Sequence, residues 1–256
     1  MKKMEVTFLG TGTSQGVPVI TCECEVCQSE NKHDKRLRTS IMMSIDDINI
    51  VVDTGPDFRQ QMLNEEVKHL EAVLYTHEHK DHISGMDDIR AFNFKAKKPV
   101  EIYASERTEI GLRKEYHYVF TDKPYPGVPQ VNLHRIESSP FTVQGIKVIP
   151  IDVMHYKLPV KAFRVGDFTY ITDANAIAPS EMNKIHGSEV LVINALRKTP
   201  HMSHFTLDEA LELIESIGPK RAYLTHLSHL MGKHEDIQKE LPENVFVAYD
   251  GLKIQI

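Results

Sequence analysis

Short apolar runs of strand length organise this chain, separated by segments of helical period and by glycine- or proline-rich turns. In the first half the pattern predicts strands over residues 5–9, 39–45, 48–52, 72–75 and 99–103. Helical spacing predicts helices over 58–64, 86–92 and 106–116, and the proline-rich stretch 120–131 reads as loop. The second half repeats the scheme, with strands over 143–153, 161–165 and 168–172, a helix over 207–217, and strands over 221–225, 245–248 and 252–256. The 207–217 helix carries its own start signal: Thr206 is followed three residues on by Glu209, the pair of a capping box. Two strand-rich halves with helices between them predict a layered α/β architecture, sheets inside and helices on their outer faces.

Composition narrows the classes. A length of 256 residues suits one large domain or two small ones, and 41% hydrophobic residues can fill a substantial core. A net charge of -6 and a pI near 6.2 argue against a general nucleic-acid binder, whose footprint is basic. Small phosphate substrates stay open, because bound cations reverse the local sign. The first apolar run is short and interrupted by Glu5 and Thr7, so it reads neither as a signal peptide nor as a membrane span, and a cytoplasmic protein is expected. The only cysteines are Cys22, Cys24 and Cys27. An odd, tight cluster makes a poor disulfide framework and three-quarters of a tetrahedral zinc site, its fourth ligand to be found far along the chain.

The densest chemistry lies in Thr76-His77-Glu78-His79-Lys80-Asp81-His82, directly after an apolar strand. His77 and His79 alternate and project to one side. Asp81 and His82, past a turn, can reach a neighbouring point, which provides parts of two metal shells. Two adjacent cations serve hydrolysis: they generate hydroxide at neutral pH and clamp a charged leaving group. Asp53, His77, His155, Asp173 and His226 each stand where a predicted strand ends, which is where α/β scaffolds commonly place chemistry. Asp53 fits two roles, a carboxylate receiving a ligand histidine's ring N–H or a turn residue before Gly55. Gly10, Gly12 and Gly16 fit either backbone approach to a phosphate or a tight structural turn.

The ordered set Phe8-Leu9-Gly10-Thr11-Gly12-Thr13-Ser14, Asp53-Thr54-Gly55, His77-Glu78-His79-Lys80-Asp81-His82, His155, Asp173 and His226 resembles the metallo-β-lactamase superfamily, in its phosphodiesterase branch. Gln15-Gly16-Val17-Pro18, the cysteine cluster, His204 and Thr225-His226-Leu227-Ser228-His229 make it most similar to the phosphoribosyl cyclic phosphate phosphodiesterases of phosphonate degradation. The resemblance covers essentially the whole chain. It implies a single αββα sandwich over 1–256, with two mixed β-sheets flanked by helices. It also implies a division of ligands: His77, His79 and His155 on one metal, Asp81, His82 and His226 on the other, and Asp173 bridging both. Zinc, manganese and iron all tolerate such His/Asp shells. His229 would complete a structural zinc site with Cys22, Cys24 and Cys27, and His204 would contact the phosphate and assist the leaving oxygen. The resemblance suggests a homodimer. His201 is unmatched and reads as a surface neighbour of His204.

The expected activity is hydrolysis of a small cyclic or nucleotide-like phosphodiester by a metal-held hydroxide, with Asp81 and His204 as catalytic residues. A transfer-RNA 3′-end endonuclease is disfavoured by the acidic balance and the lack of a basic arm. A di-iron oxidoreductase would need an electron-carrying partner domain. An accessory or carrier protein of cofactor biosynthesis remains an alternative, since such relatives share the cysteine cluster.

Overall fold

The computed structural model describes residues 3–256; the first two residues of the N-terminal stretch read above lie outside it. Strands run in chain order as β1 Met4–Gly10, β2 Ser40–Ile45, β3 Ile48–Val52, β4 Ala72–Leu74, β5 Val100–Ala104, β6 Val131–Arg135, β7 Phe141–Val143, β8 Ile146–His155, β9 Leu158–Val165, β10 Phe168–Ile171, β11 Ala176–Ile177, β12 Val190–Asn194, β13 Arg221–Thr225, β14 Val245–Val247 and β15 Lys253–Gln255. Helices are α1 Phe58–Asn64, α2 Lys80–Ile83, α3 Arg90–Ala96, α4 Glu106–Glu115, α5 Pro179–Ile185, α6 Leu207–Ile217 and α7 His234–Glu240.

The strands form two mixed sheets, ordered β15-β1-β2-β3-β4-β5-β6 and β11-β8-β9-β10-β12-β13-β14, with β7 paired to β8. Each sheet is antiparallel on one side and parallel on the other. β15, β1, β2 and β3 pair antiparallel, and β3 through β6 parallel. The second sheet repeats this, switching from antiparallel to parallel at β10. The period-two alternation of strand side chains sorts the layers. Ile50, Val52 and Leu74 meet Tyr170, Val192 and Tyr223 between the sheets. Val51, Val73 and Ile102 point outward under Phe58, Ile89 and Leu112. Leu191, Ile193 and Leu224 point outward under Ala210, Ile214 and Ile237. Helix, sheet, sheet and helix therefore stack as the predicted αββα sandwich, because strands apolar on both faces need cover on both.

Most predicted elements stand within a residue or two of their positions, and the Thr206–Glu209 capping box forms in both directions. Two readings need correction, and β6, β11, β12, α2, α5 and α7 were not predicted. The predicted strand 143–153 is a hairpin, broken where Gln144 and Gly145 turn with φ of 49° and 83°. The predicted helix 86–92 is a 3-10 turn, Met86–Ile89, running into α3. β6 meets the predicted loop only at Val131 and carries no strand signal of its own, because it is a polar, half-exposed edge strand. β12 escaped notice because all five of its residues are buried, so it shows no alternation. Among the described residues no helix is long and apolar enough to cross a membrane.

Candidate metal centre

The parallel halves of both sheets deliver their carboxyl ends to one region, the end of an α/β sheet where ligands bind. Asp53 follows β3, His77 follows β4, Asp173 follows β10 and His226 follows β13, while His155 closes β8. Three of these residues leave the extended conformation at once, Asp53 at φ 64°, Asp173 at φ 51° and His226 at φ 57°. Left-handed backbone is uncommon outside glycine and costs about 1–3 kcal/mol per residue unless its surroundings hold it. Here they do. The Asp53 carboxylate accepts from Thr76 N and Thr76 Oγ1, both at 2.8 Å. Thr172 Oγ1 donates to Asp173 Oδ1, and the Asn194 side chain donates to Ala174 O and accepts from Ala174 N, locking the next residue on both sides. Gly55 is required by close approach, since a Cβ there would lie 2.2 Å from Asp81 O.

Ring nitrogens and carboxylates converge on Asp173. Its Oδ2 lies 3.8 Å from His77 Nε2, 4.0 Å from His155 Nε2 and 3.4 Å from His82 Nε2, and its Oδ1 lies 2.9 Å from His226 Nδ1. His77 Nε2 and His79 Nδ1 face each other at 2.9 Å. Two groups result, His77, His79, His155 and Asp173 on one side and His82, Asp173 and His226 on the other, each with ligand atoms within 4.8 Å of one another. Asp81 stands beside the second group, its Oδ2 3.2 Å from His82 Nε2.

Outer hydrogen bonds orient the rings. His82 Nδ1 donates to Asp53 Oδ2 at 2.7 Å, His155 Nδ1 donates to Ser203 O at 2.8 Å, and His77 Nδ1 donates to Thr76 Oγ1 at 3.0 Å. Each of these rings thereby turns Nε2 inward. Asp53 thus fills both roles, the histidine's partner and the turn residue. Thr76 and Ser203 were missed. Thr76 had a signal, its place directly before His77, whereas Ser203 acts through a backbone carbonyl, which no side-chain pattern reports.

The donor set fits cations. His82 Nε2 is buried and makes no hydrogen bond, although it faces Asp81 and Asp173. Burial pushes the His82 imidazole down, but Asp81, Asp173 and Asp53 outweigh it and hold it well above the usual histidine range. Burial likewise pushes Asp173 up, and His226 and His82 override it, holding the carboxyl well below the usual range. Burial, then the charge on His82, keeps His77 well below its usual value. The carboxylates thus gather negative potential where the ring nitrogens point.

His204 sits in the same region. Its ring lies 4.6 Å from that of His155 and 4.8 Å from that of His226, and its Nδ1 is buried without a hydrogen-bond partner. Burial, then His226, pushes its pKa down to about 3. His201 is not a detached surface residue: it is half-buried, with its ring 5.1 Å from His204.

The cysteines meet His229 as expected. Cys22 Sγ and Cys24 Sγ lie 3.2 and 3.3 Å from His229 Nδ1, and Cys27 completes a group within 4.8 Å. The Cys27 backbone N–H lowers the Cys24 thiol to about 6, whereas burial raises Cys27 to about 11. Leu227 N donates to Thr11 O and Thr13 N to Leu227 O, so the first loop is strapped to the segment carrying His226 and His229. The same ladder decides the glycine-rich loop. The amides of Gly12 and Gly16 donate to Leu37 O and Thr13 O, so this is a tight structural turn and not a phosphate cradle.

Fold and site together define a chain of the metallo-β-lactamase fold with a candidate metal centre. Residues 48–227 match the family model described as the β-lactamase superfamily domain. A diphosphatase from the PhnP family superposes with a TM-score of 0.93 at 38% identity, covering 99% of this chain and 97% of that one. The metallo-β-lactamase fold protein YhfI from Bacillus subtilis superposes with a TM-score of 0.78 at 19% identity over the full length of both chains. An octanoyltransferase of Porphyromonas gingivalis (strain ATCC BAA-308 / W83) is 39% identical over 98% of this chain, which spans 51%, about half, of that curated relative. The chain belongs to the β-lactamase superfamily, and within it to the PhnP family.

Asp53→Asn should weaken metal binding about 10- to 100-fold, the usual cost of removing a ligand histidine's carboxylate partner. Titrating metal-stripped protein with zinc or manganese measures this, and unchanged affinity would confine Asp53 to the turn.

Proposed function

We propose that the chain is a dinuclear metal-dependent phosphodiesterase acting on a small cyclic or nucleotide-like phosphodiester. The observation that supports this best is the position of Asp173, whose two oxygens face both ligand groups at 2.9–4.0 Å. A carboxylate so placed suits a bridge between two cations: His77, His79 and His155 would hold one, Asp81, His82 and His226 the other. Zinc, manganese and iron each suit this donor set. Bound there, two divalent cations supply Lewis acidity, lowering the pKa of water and neutralising charge on phosphate oxygens. A diphosphatase among the relatives fits this chemistry, since diester and anhydride hydrolysis both transfer phosphorus to water.

The chain's own residues position and orient. Asp53 and Thr76 fix the His82 and His77 rings, and Ser203 O fixes His155. His204, neutral and held between His155 and His226, donates a hydrogen bond to the departing oxygen. Cys22, Cys24, Cys27 and His229 hold one zinc that braces the first loop, because thiolate-rich closed shells select zinc. Thiolates kept for a metal suit a reducing compartment such as the cytoplasm. The reading is tested by turnover of bis(p-nitrophenyl) phosphate with added manganese or zinc, followed by cyclic phosphates, dinucleoside diphosphates and precursor RNA. No turnover by fully metallated protein across that screen would favour the accessory or carrier role.

Three variants test the parts. Asp173→Ala should abolish hydrolysis and lower occupancy at both cation positions, whereas Asp81→Ala should abolish hydrolysis and affect one; full occupancy in the Asp173 variant by metal analysis contradicts a bridge. His204→Ala should retain metal and lose about 10²- to 10⁴-fold in turnover on an alkyl diester, with a smaller loss on a p-nitrophenyl diester, whose leaving group needs little help. Equal losses on the two would remove His204 from the leaving-group step. His229→Ala should lower zinc content and melting temperature together, and zinc retained at wild-type stability would refute the Cys₃His site.

A further inference from the structure

On the helical layer that covers the first sheet, a slot of about 280 Å³ opens between α1 and α3. None of the candidate metal ligands lines it. Its walls are apolar: Phe58, Met62 and Leu63 from α1, Val67 from the loop that follows, and Ala91 and Phe92 from α3. Phe58, Met62 and Phe92 are buried beneath it, whereas Leu63 stands 55% exposed at its rim. Arg59 and Lys68 also line the slot, and the side chain of neither makes a hydrogen bond or ion pair among the described residues. The slot therefore joins apolar walls to unengaged positive charge on a chain whose net charge is -6.

Charge is spread unequally along it. Lys95 Nζ donates to Lys68 O at 2.9 Å, so these two lysines meet at one end. A second recess of about 210 Å³ continues from there, sharing Lys68, Phe92 and Lys95 and adding His69 and Lys98. The carboxylate in that recess, Glu71, is already engaged, by His69 Nδ1 at 3.0 Å and by Asn49 N at 2.9 Å. Asp88 is the one carboxylate that lines the slot itself. It lies two helical turns before Lys95, about 10 Å away along the helix. Phe58 marks that same end, since a Cβ at the neighbouring Gly85 would lie 2.6 Å from Phe58 Cβ. Arg59 and Asp88 thus offset each other at one end, and the lysines leave the other end cationic.

We propose that this slot binds a medium-chain fatty acid, with the carboxylate on Lys68 and Lys95 and the alkyl chain running along Phe92 and Met62 toward Phe58. A bare inorganic anion would leave the apolar walls in water, and a neutral alkane would leave the lysines without a counter-charge. Sites for drug-sized ligands begin near about 300 Å³, so this slot suits a slim chain better than a ring system. Its length, about 10 Å between the two charged ends, favours a medium chain over a long one. Exposed lysines add little binding energy and the buried methylenes most of it, so the cationic end sets the direction of the chain and the walls set the affinity.

Calorimetric titration of the metallated full chain with butanoate, hexanoate, octanoate and octylammonium tests the slot. Affinity should rise about three- to fourfold per added methylene from butanoate to octanoate. Octanoate should bind about tenfold tighter than octylammonium, and Lys68→Glu should reverse that preference. Ala91→Trp places a large side chain in the slot from an exposed helix position and should abolish octanoate binding at unchanged metal content. Octanoate should also raise the melting temperature of wild type and not that of Ala91→Trp. A carboxylate held by cations at the metal centre instead would bind Ala91→Trp as tightly as wild type. That result, affinity independent of chain length, or equal binding of octanoate and octylammonium would each overturn the proposal. If Ala91→Trp does not fold, Lys68→Glu decides, and an unchanged preference for octanoate overturns it. No readout involves hydrolysis, so the outcome is separate from that of the phosphodiesterase reading.

Discussion

Buried imidazole lone pairs and carboxylates repel unless positive charge lies among them, and the rest of this structure is arranged to hold them together. Asp173 is the point of convergence, with ring nitrogens of His77, His82, His155 and His226 within 4.0 Å of its oxygens. Such a constellation does not stand unaided, because desolvation opposes each charge and rotamer freedom opposes each ring. Every ring is therefore tied from behind or packed between others. Asp53 ties two segments at once, receiving Thr76 and His82 with no exposure to solvent.

The architecture supplies the convergence. Each sheet changes from antiparallel to parallel midway, and the two parallel halves end in the same region. A strand that ends on a left-handed residue turns its next side chain away from the sheet, and Asp53, Asp173 and His226 all do this. The local strain is carried by a scaffold whose inner and outer layers are densely apolar.

Around that centre lie two accessory ties. The bridge between Gly12 and Leu227 brings the cysteine loop to His229, so the chain's first loop and the segment carrying His226 are one unit. α4 is bound to the histidine run through Glu78 and Lys80.

The family resemblance carried the αββα sandwich, both ligand groups and the Cys₃His set, and the chain's own pattern carried the layered α/β class, most element positions and the histidine run. These are local or ordered signals: strand alternation, the capping box at Thr206 and Glu209, and the His77–His82 run. It did not reveal β12, whose five buried residues lack any period, or β6, a polar edge strand. It left Asp53 divided between two roles and the glycine-rich loop between two others. Only the tertiary structure decided these, because each depends on a partner distant in sequence. Asp53 is explained by His82, the loop amides by Leu37 and Leu227, and His201 by the ring of His204.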